Sequence, residues 1–153
     1  MEAFPFTEAE WESVREAAGA IVNAALAEDP ILRASQFAEL RAVLAGLRDR
    51  YGDHPLLLET EADFTADAPD RVALYERASR TAAAGGLPTL TIRLSLARVL
   101  LEDLGRPDAA RVELLACRGE LATVGDESDR EEWASLLAAC DRRTPAAPDR
   151  PGG

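Results

Sequence analysis

Apolar positions recur along most of this chain at the alternating three- and four-residue spacing of amphipathic helices. Thr7 followed by Glu10 forms a capping-box pair, and the pattern after it predicts a helix to about Ala27. Trp11, Val14, Ala18, Ile21, Val22, Ala25 and Leu26 would share its buried face. Asp29-Pro30 ends that helix and starts a second, whose seam is Phe37, Leu40, Leu44, Leu47 and Tyr51 and whose stop is Gly52. Pro55 opens a third helix through Phe64. Asp67 or Ala68, with Pro69, leads into a fourth that ends at Gly85-Gly86.

The stretch Leu87 to Gly105 is the most apolar, and the rest of the chain is expected to pack around it. Thr89 to Leu96 alternates polar and apolar as a strand does, whereas Leu90, Leu94, Ala97, Leu101 and Leu104 recur at helical spacing. Length decides for a buried helix, opened by Pro88 in its first turn and closed by Gly105. Arg106-Pro107-Asp108 turns into a sixth helix, with Val112, Leu115 and Ala116 on one side and Ala110, Leu114 and Cys117 on the other. After Gly125, Ser128 with Glu131 reads as a capping box for a seventh helix carrying Trp133, Leu136, Leu137 and Cys140. The last ten residues, 144–153, have the composition of a disordered tail. Short turns between seven helices predict an all-α fold of antiparallel hairpins. Alanine and leucine dominate and aromatics are sparse, which suits close-packed helices.

The hairpin ARVLLEDLGRPDAARVELLAC resembles a tetratricopeptide (TPR) repeat. Ala97 and Leu101, the Leu104-Gly105 turn, Ala110, then Leu114 and Cys117 carry the likeness. Tyr75 and Ala78 in the fourth helix match Leu114 and Cys117 in the sixth, with Pro-Asp opening both helices. The likeness is best for Leu87 to Leu121 and weaker for Asp53 to Gly86. Arg98 and Arg71 stand where the family has small residues. The resemblance implies a right-handed TPR-like solenoid forming one domain over residues 1–143. Its hairpins would be at about 7–52, 53–86 and 87–122, with a C-terminal capping helix at 126–142. A terminal repeat needs such a cap because its apolar face would otherwise be exposed.

Charge adds the functional signal. The formal net charge is −11, and every basic residue is arginine. That balance argues against nucleic acid or anionic membrane as partner and favours a protein or peptide with a basic patch. From Thr7 to Asp29, six acids (Glu8, Glu10, Glu12, Glu16, Glu28, Asp29) stand against Arg15 alone, and Asp53 to Asp67 holds five acids and no arginine. The second and fourth helices are mildly basic. The first helix of each TPR-like hairpin lines the concave surface, so the resemblance implies an acidic groove. Glu16, Glu61, Asp63, Ser95, Glu102 and Asp103 are its candidate partner-binding residues. The expected function is a scaffold-type interaction module. The alternative is an acidic immunity-type protein that neutralises a basic toxin.

No enzyme chemistry is expected. His54 is the only histidine, beside Pro55, and reads as a surface turn residue. Glu59 and Asp63 lie one helical turn apart but have no histidine or cysteine near them in sequence for a metal. Cys117 and Cys140 show no ligand spacing and read as small buried hydrophobes. No phosphate loop, nucleophile elbow or zinc motif occurs, so neither cofactor nor metal is expected. No apolar run approaches the ~20 residues of a membrane span. MEAFPFTEAEWE is acidic where a signal peptide is basic, so a cytoplasmic location is expected.

Overall fold

The computed structural model describes residues 1–143, and every regular element among them is helical. In order these are α1 (Glu8–Leu26), α2 (Pro30–Tyr51), α3 (Pro55–Phe64) and α4 (Ala68–Ala84). Then come α5 (Leu90–Arg98) with a π-helical turn (Val99–Asp103), α6 (Pro107–Ala116), α7 (Arg118–Thr123) and α8 (Glu127–Arg143). The expected tail lies outside the described residues. No helix among those described is long and apolar enough to cross a membrane.

The chain forms two compact units, one over Met1–Leu87 and one starting at Pro88. In the first, α1 packs along α2 and α3 along α4, while α2 also meets α3. Its core joins Phe6, Val14, Ile21, Leu40, Leu44, Leu47 and Leu57, and Phe37 and Tyr51 pack against it, so the seam expected of α2 is buried as one line. On α1 the expected face is narrower. Val14, Ile21 and Ala24 are buried, but Val22 and Leu26 face solvent. Packing chiefly against one neighbour, α2, a helix can cover only a thin stripe.

The Thr7–Glu10 capping box closes as read, Thr7 Oγ1 accepting the Glu10 N–H at 3.1 Å and Glu10 Oε1 accepting the Thr7 N–H at 2.9 Å. Asp29 caps α2 and Asp67 caps α4, each followed by proline in the first turn. His54 departs from expectation. It is buried and serves as the N-cap of α3, Nδ1 accepting the Leu56 N–H at 3.1 Å. Nε2 then carries the proton and donates to the Glu2 carbonyl at 2.8 Å, with Phe6 edge-on to the ring.

In the second unit, α5 and its π turn pack on α6, and α8 packs on both α5 and α6. The expected central helix forms, but it starts at Leu90, beyond Pro88, and widens into a π turn, where the Leu104 N–H reaches the Val99 carbonyl at 3.1 Å. A π turn shifts the helical register, and here Val99, Leu100 and Leu101 are all buried in succession. The expected sixth helix breaks at Cys117 into α6 and α7. Ala110, Leu114 and Cys117 are the inward side, and Val112, Leu115 and Ala116 the outward side. The capping box of α8 is Asp126 with Asp129, not Ser128 with Glu131. Asp126 Oδ1 accepts the Asp129 N–H at 2.8 Å and Asp129 Oδ2 accepts the Asp126 N–H at 3.1 Å. Asp126, directly after Gly125, starts the helix two residues before Ser128, which then lies inside its first turn.

Candidate functional site

Much of the charge read from the sequence is used inside each unit. Glu61, on α3, is nearly enclosed, its side chain 13% exposed, and meets Arg41 at 3.2 Å and Arg48 at 3.6 Å on α2. Arg48 also holds Asp53 at 2.8 Å, and Arg77 of α4 pairs with the other Asp53 oxygen. The mildly basic second helix and the acidic third therefore neutralise one another where they meet. Asp63 accepts the Tyr75 hydroxyl at 2.5 Å. Burial first, then this bond to a carboxylate, pushes the Tyr75 phenol up to about 12.

Glu10 is a second junction. Beyond its role in the capping box, its carboxylate accepts the Tyr51 hydroxyl at 2.5 Å and Arg50 at 2.7 Å, tying the start of α1 to the end of α2. The Tyr51 bond first, and then the Thr7 amide, hold the carboxyl at about 2, well below its ordinary 4.5. In the second unit, Glu120 of α7 performs the cap that Thr89 does not. Its carboxylate accepts the Thr89 and Leu90 N–H groups and the Thr89 hydroxyl, at 2.8–2.9 Å for the closest oxygen of each. Arg93 donates to Thr89 Oγ1 at 3.0 Å and to Glu113 at 2.6 Å. Thr89 and Arg93, at the start of the central helix, thus bind within their own unit.

Of the six candidate partner-binding residues, Glu61 and Asp63 belong to these internal contacts. Glu16 is exposed on α1, and Glu102 and Asp103 are exposed on the π turn. Ser95 is half-buried on α5. Glu61 also lines a cleft. Phe37 and Arg41 of α2, Glu61 and Thr65 at the end of α3, and Asp70, Ala73 and Leu74 of α4 enclose about 320 Å³. Sequence periodicity placed Phe37 in the α2 seam and left Asp70 and Leu74 unmarked, because the cleft exists only where three helices meet.

Arg41 shows what that cleft accommodates. Its guanidinium lies 5.9 Å from the centre of the Phe37 ring and 3.2 Å from Glu61, although 62% of the side chain is exposed. A planar cation over an aromatic face with a carboxylate at its edge is a cation-binding arrangement. Asp70, in the first turn of α4, is exposed and makes no side-chain ion pair among the described residues. No group of three or more His, Cys, Asp or Glu side chains among the described residues is placed to hold a metal ion. Burial pushes the Cys117 thiol up to about 11, away from the thiolate that nucleophilic chemistry needs.

The chain matches no family model, and neither a curated protein nor a solved structure is similar to it.

Proposed function

We propose that this chain is a protein-interaction module of TPR-like helical hairpins that takes an arginine of a basic partner segment into the cleft between α2, α3 and α4. One observation carries the reading: the cleft already cradles a guanidinium, that of the loosely held Arg41, between Phe37 and Glu61. A partner's arginine can displace a side chain that is mostly in solvent, and Asp70 adds a second carboxylate to the rim. The net charge of −11 favours encounter with a basic chain. The hairpin character is supported by the burial of Ala97, Leu101, Ala110, Leu114 and Cys117, the positions that carry the repeat resemblance.

An NMR titration with a short peptide carrying one arginine, against the same peptide with citrulline, tests this. The arginine peptide should shift the amides of Phe37, Thr65 and Ala73. Arg41→Ala, a surface change, should tighten binding by vacating the ring, and Asp70→Asn should weaken it about 3–10-fold, the size of one charged contact at the rim. Equal shifts from the citrulline peptide, or no response to Arg41→Ala, would refute it.

A further inference from the structure

The cleft between α2, α3 and α4 offers hydrogen-bond acceptors and almost no donors. Phe37, Arg41, Glu61, Ala73 and Leu74 lie inside their helices, so their amides are spent on the helical backbone. Thr65, at the end of α3, has both of its donors committed. Its N–H goes to the Ala62 carbonyl at 3.1 Å, and its hydroxyl donates to the Glu61 carbonyl at 2.7 Å. The Asp70 N–H goes to Asp67 Oδ2 at 3.0 Å. These residues still offer the Glu61 and Asp70 carboxylates and the lone pairs of Thr65 Oγ1. The free donors of the lining all belong to the Arg41 guanidinium.

The two carboxylates are placed differently. Glu61 is nearly enclosed and is held by Arg41 and Arg48. Asp70 is exposed at the rim and has no side-chain ion pair among the described residues. One guanidinium over Phe37 satisfies Glu61 and leaves Asp70 and Thr65 Oγ1 facing whatever else the ligand brings. Acceptors covered by a ligand without donors lose their water and gain nothing in return. A well-matched ligand therefore carries a second cation close to the first.

We infer that the cleft takes an arginine at the amino terminus of the partner chain, its guanidinium on Phe37 and Glu61 and its free α-ammonium on Asp70 and Thr65 Oγ1. This rests on the arginine-cleft reading and narrows it. Extended arginine holds its α-nitrogen about 6–7 Å from its guanidinium carbon, so one residue puts both cations inside a cleft of about 320 Å³. Ala73 and Leu74 give its methylenes an apolar wall. An ammonium brings three donors and no acceptor, which matches the rim. An arginine within a chain brings a single N–H and a carbonyl on either side, and those carbonyls would lie against acceptors. Free arginine fits worse again, because its α-carboxylate would stand beside Asp70.

Isothermal titration calorimetry on the full chain tests this with a short peptide that begins with arginine, its N-acetylated form, and a free-amine form beginning with citrulline. An acetylated peptide with lysine after the arginine and free arginine complete the set. Acetylation should weaken the arginine peptide about 3–10-fold, and Asp70→Asn should cost the free-amine peptide a similar amount. In Asp70→Asn, acetylation should then change affinity by less than about twofold, because the ammonium has lost the group it meets. Asp70 is exposed and its side chain caps nothing, so the variant keeps the fold. The acetylated lysine peptide and free arginine should both bind more weakly than the free-amine peptide. Equal affinity of the free and acetylated peptides, an undiminished acetylation effect in Asp70→Asn, or a match from either control would overturn the inference. Citrulline separates the two levels. If it binds as well as arginine, the cleft reading fails and the inference with it. If it binds less while acetylation changes nothing, only the terminal-amine assignment falls.

Discussion

Replacing Glu120 should loosen the second unit by a predictable amount. Its carboxylate takes the first free amides of α5, from Thr89 at 2.9 Å and Leu90 at 2.8 Å, and the Thr89 hydroxyl at 2.8 Å. Thr89 is buried, so its donors lose water on folding and depend on this partner. Glu120→Ala leaves three donors unmatched at about 1–3 kcal/mol each. Glu120 is itself half-exposed, so entering water offsets part of that, and about 3–5 kcal/mol is expected. Glu120→Gln can turn its carbonyl to the two amides, keeping neutral bonds. What it loses is charge assistance, about 1 kcal/mol per bond, some attraction to the positive helix end, and the acceptor of the Thr89 hydroxyl. About 2 kcal/mol is expected, or roughly 4–8 °C in Tm for a chain of this size. Urea unfolding followed by Trp133 in a Trp11→Phe background isolates this unit, since the Trp133 indole donates to the Leu114 carbonyl at 2.7 Å. Glu120→Gln within about 0.5 kcal/mol of wild type would show that the charged cap contributes nothing net.

Two further outcomes follow from named contacts. The folded Glu10 carboxyl titrates at about 2 against an ordinary 4.5, so its bonds to Tyr51 and Arg50 stabilise above pH 4.5 and are lost as pH falls from there towards 2. The Tm difference between wild type and Glu10→Gln should therefore be full at pH 6 and shrink through that window, and a pH-independent difference would contradict the assignment. Gly46 lies inside α2 with nothing within 4 Å of where a Cβ would stand. Gly46→Ala should stabilise the first unit by about 0.5–1 kcal/mol, read in the same urea series through Trp11 in a Trp133→Phe background. No gain would mean that the site is more crowded than its geometry indicates.

What the sequence determined by itself was local. Helix starts at Thr7, Asp29 and Asp67, the proline-led first turns and the α2 seam depend on residues within one or two turns, and neighbours in sequence can specify them. The helical assignment of Leu90 to Leu104 was legible for the same reason, as length outweighed its alternation. Tertiary structure decided what depends on residues far apart. Glu120 caps a helix thirty positions upstream, so nothing beside Thr89 announced it. His54 looked like a surface turn because its Glu2 and Phe6 partners are about fifty residues away. The acids of α3 looked available to a partner until α2 brought Arg41 and Arg48 to Glu61 and α4 brought Tyr75 to Asp63. The helical pattern of α1 continued through Val22 and Leu26, yet how much of an apolar stripe is buried depends on how many helices pack on it. The apolar face of α1 is wider than α2 covers, and Val22 and Leu26 are its exposed margin.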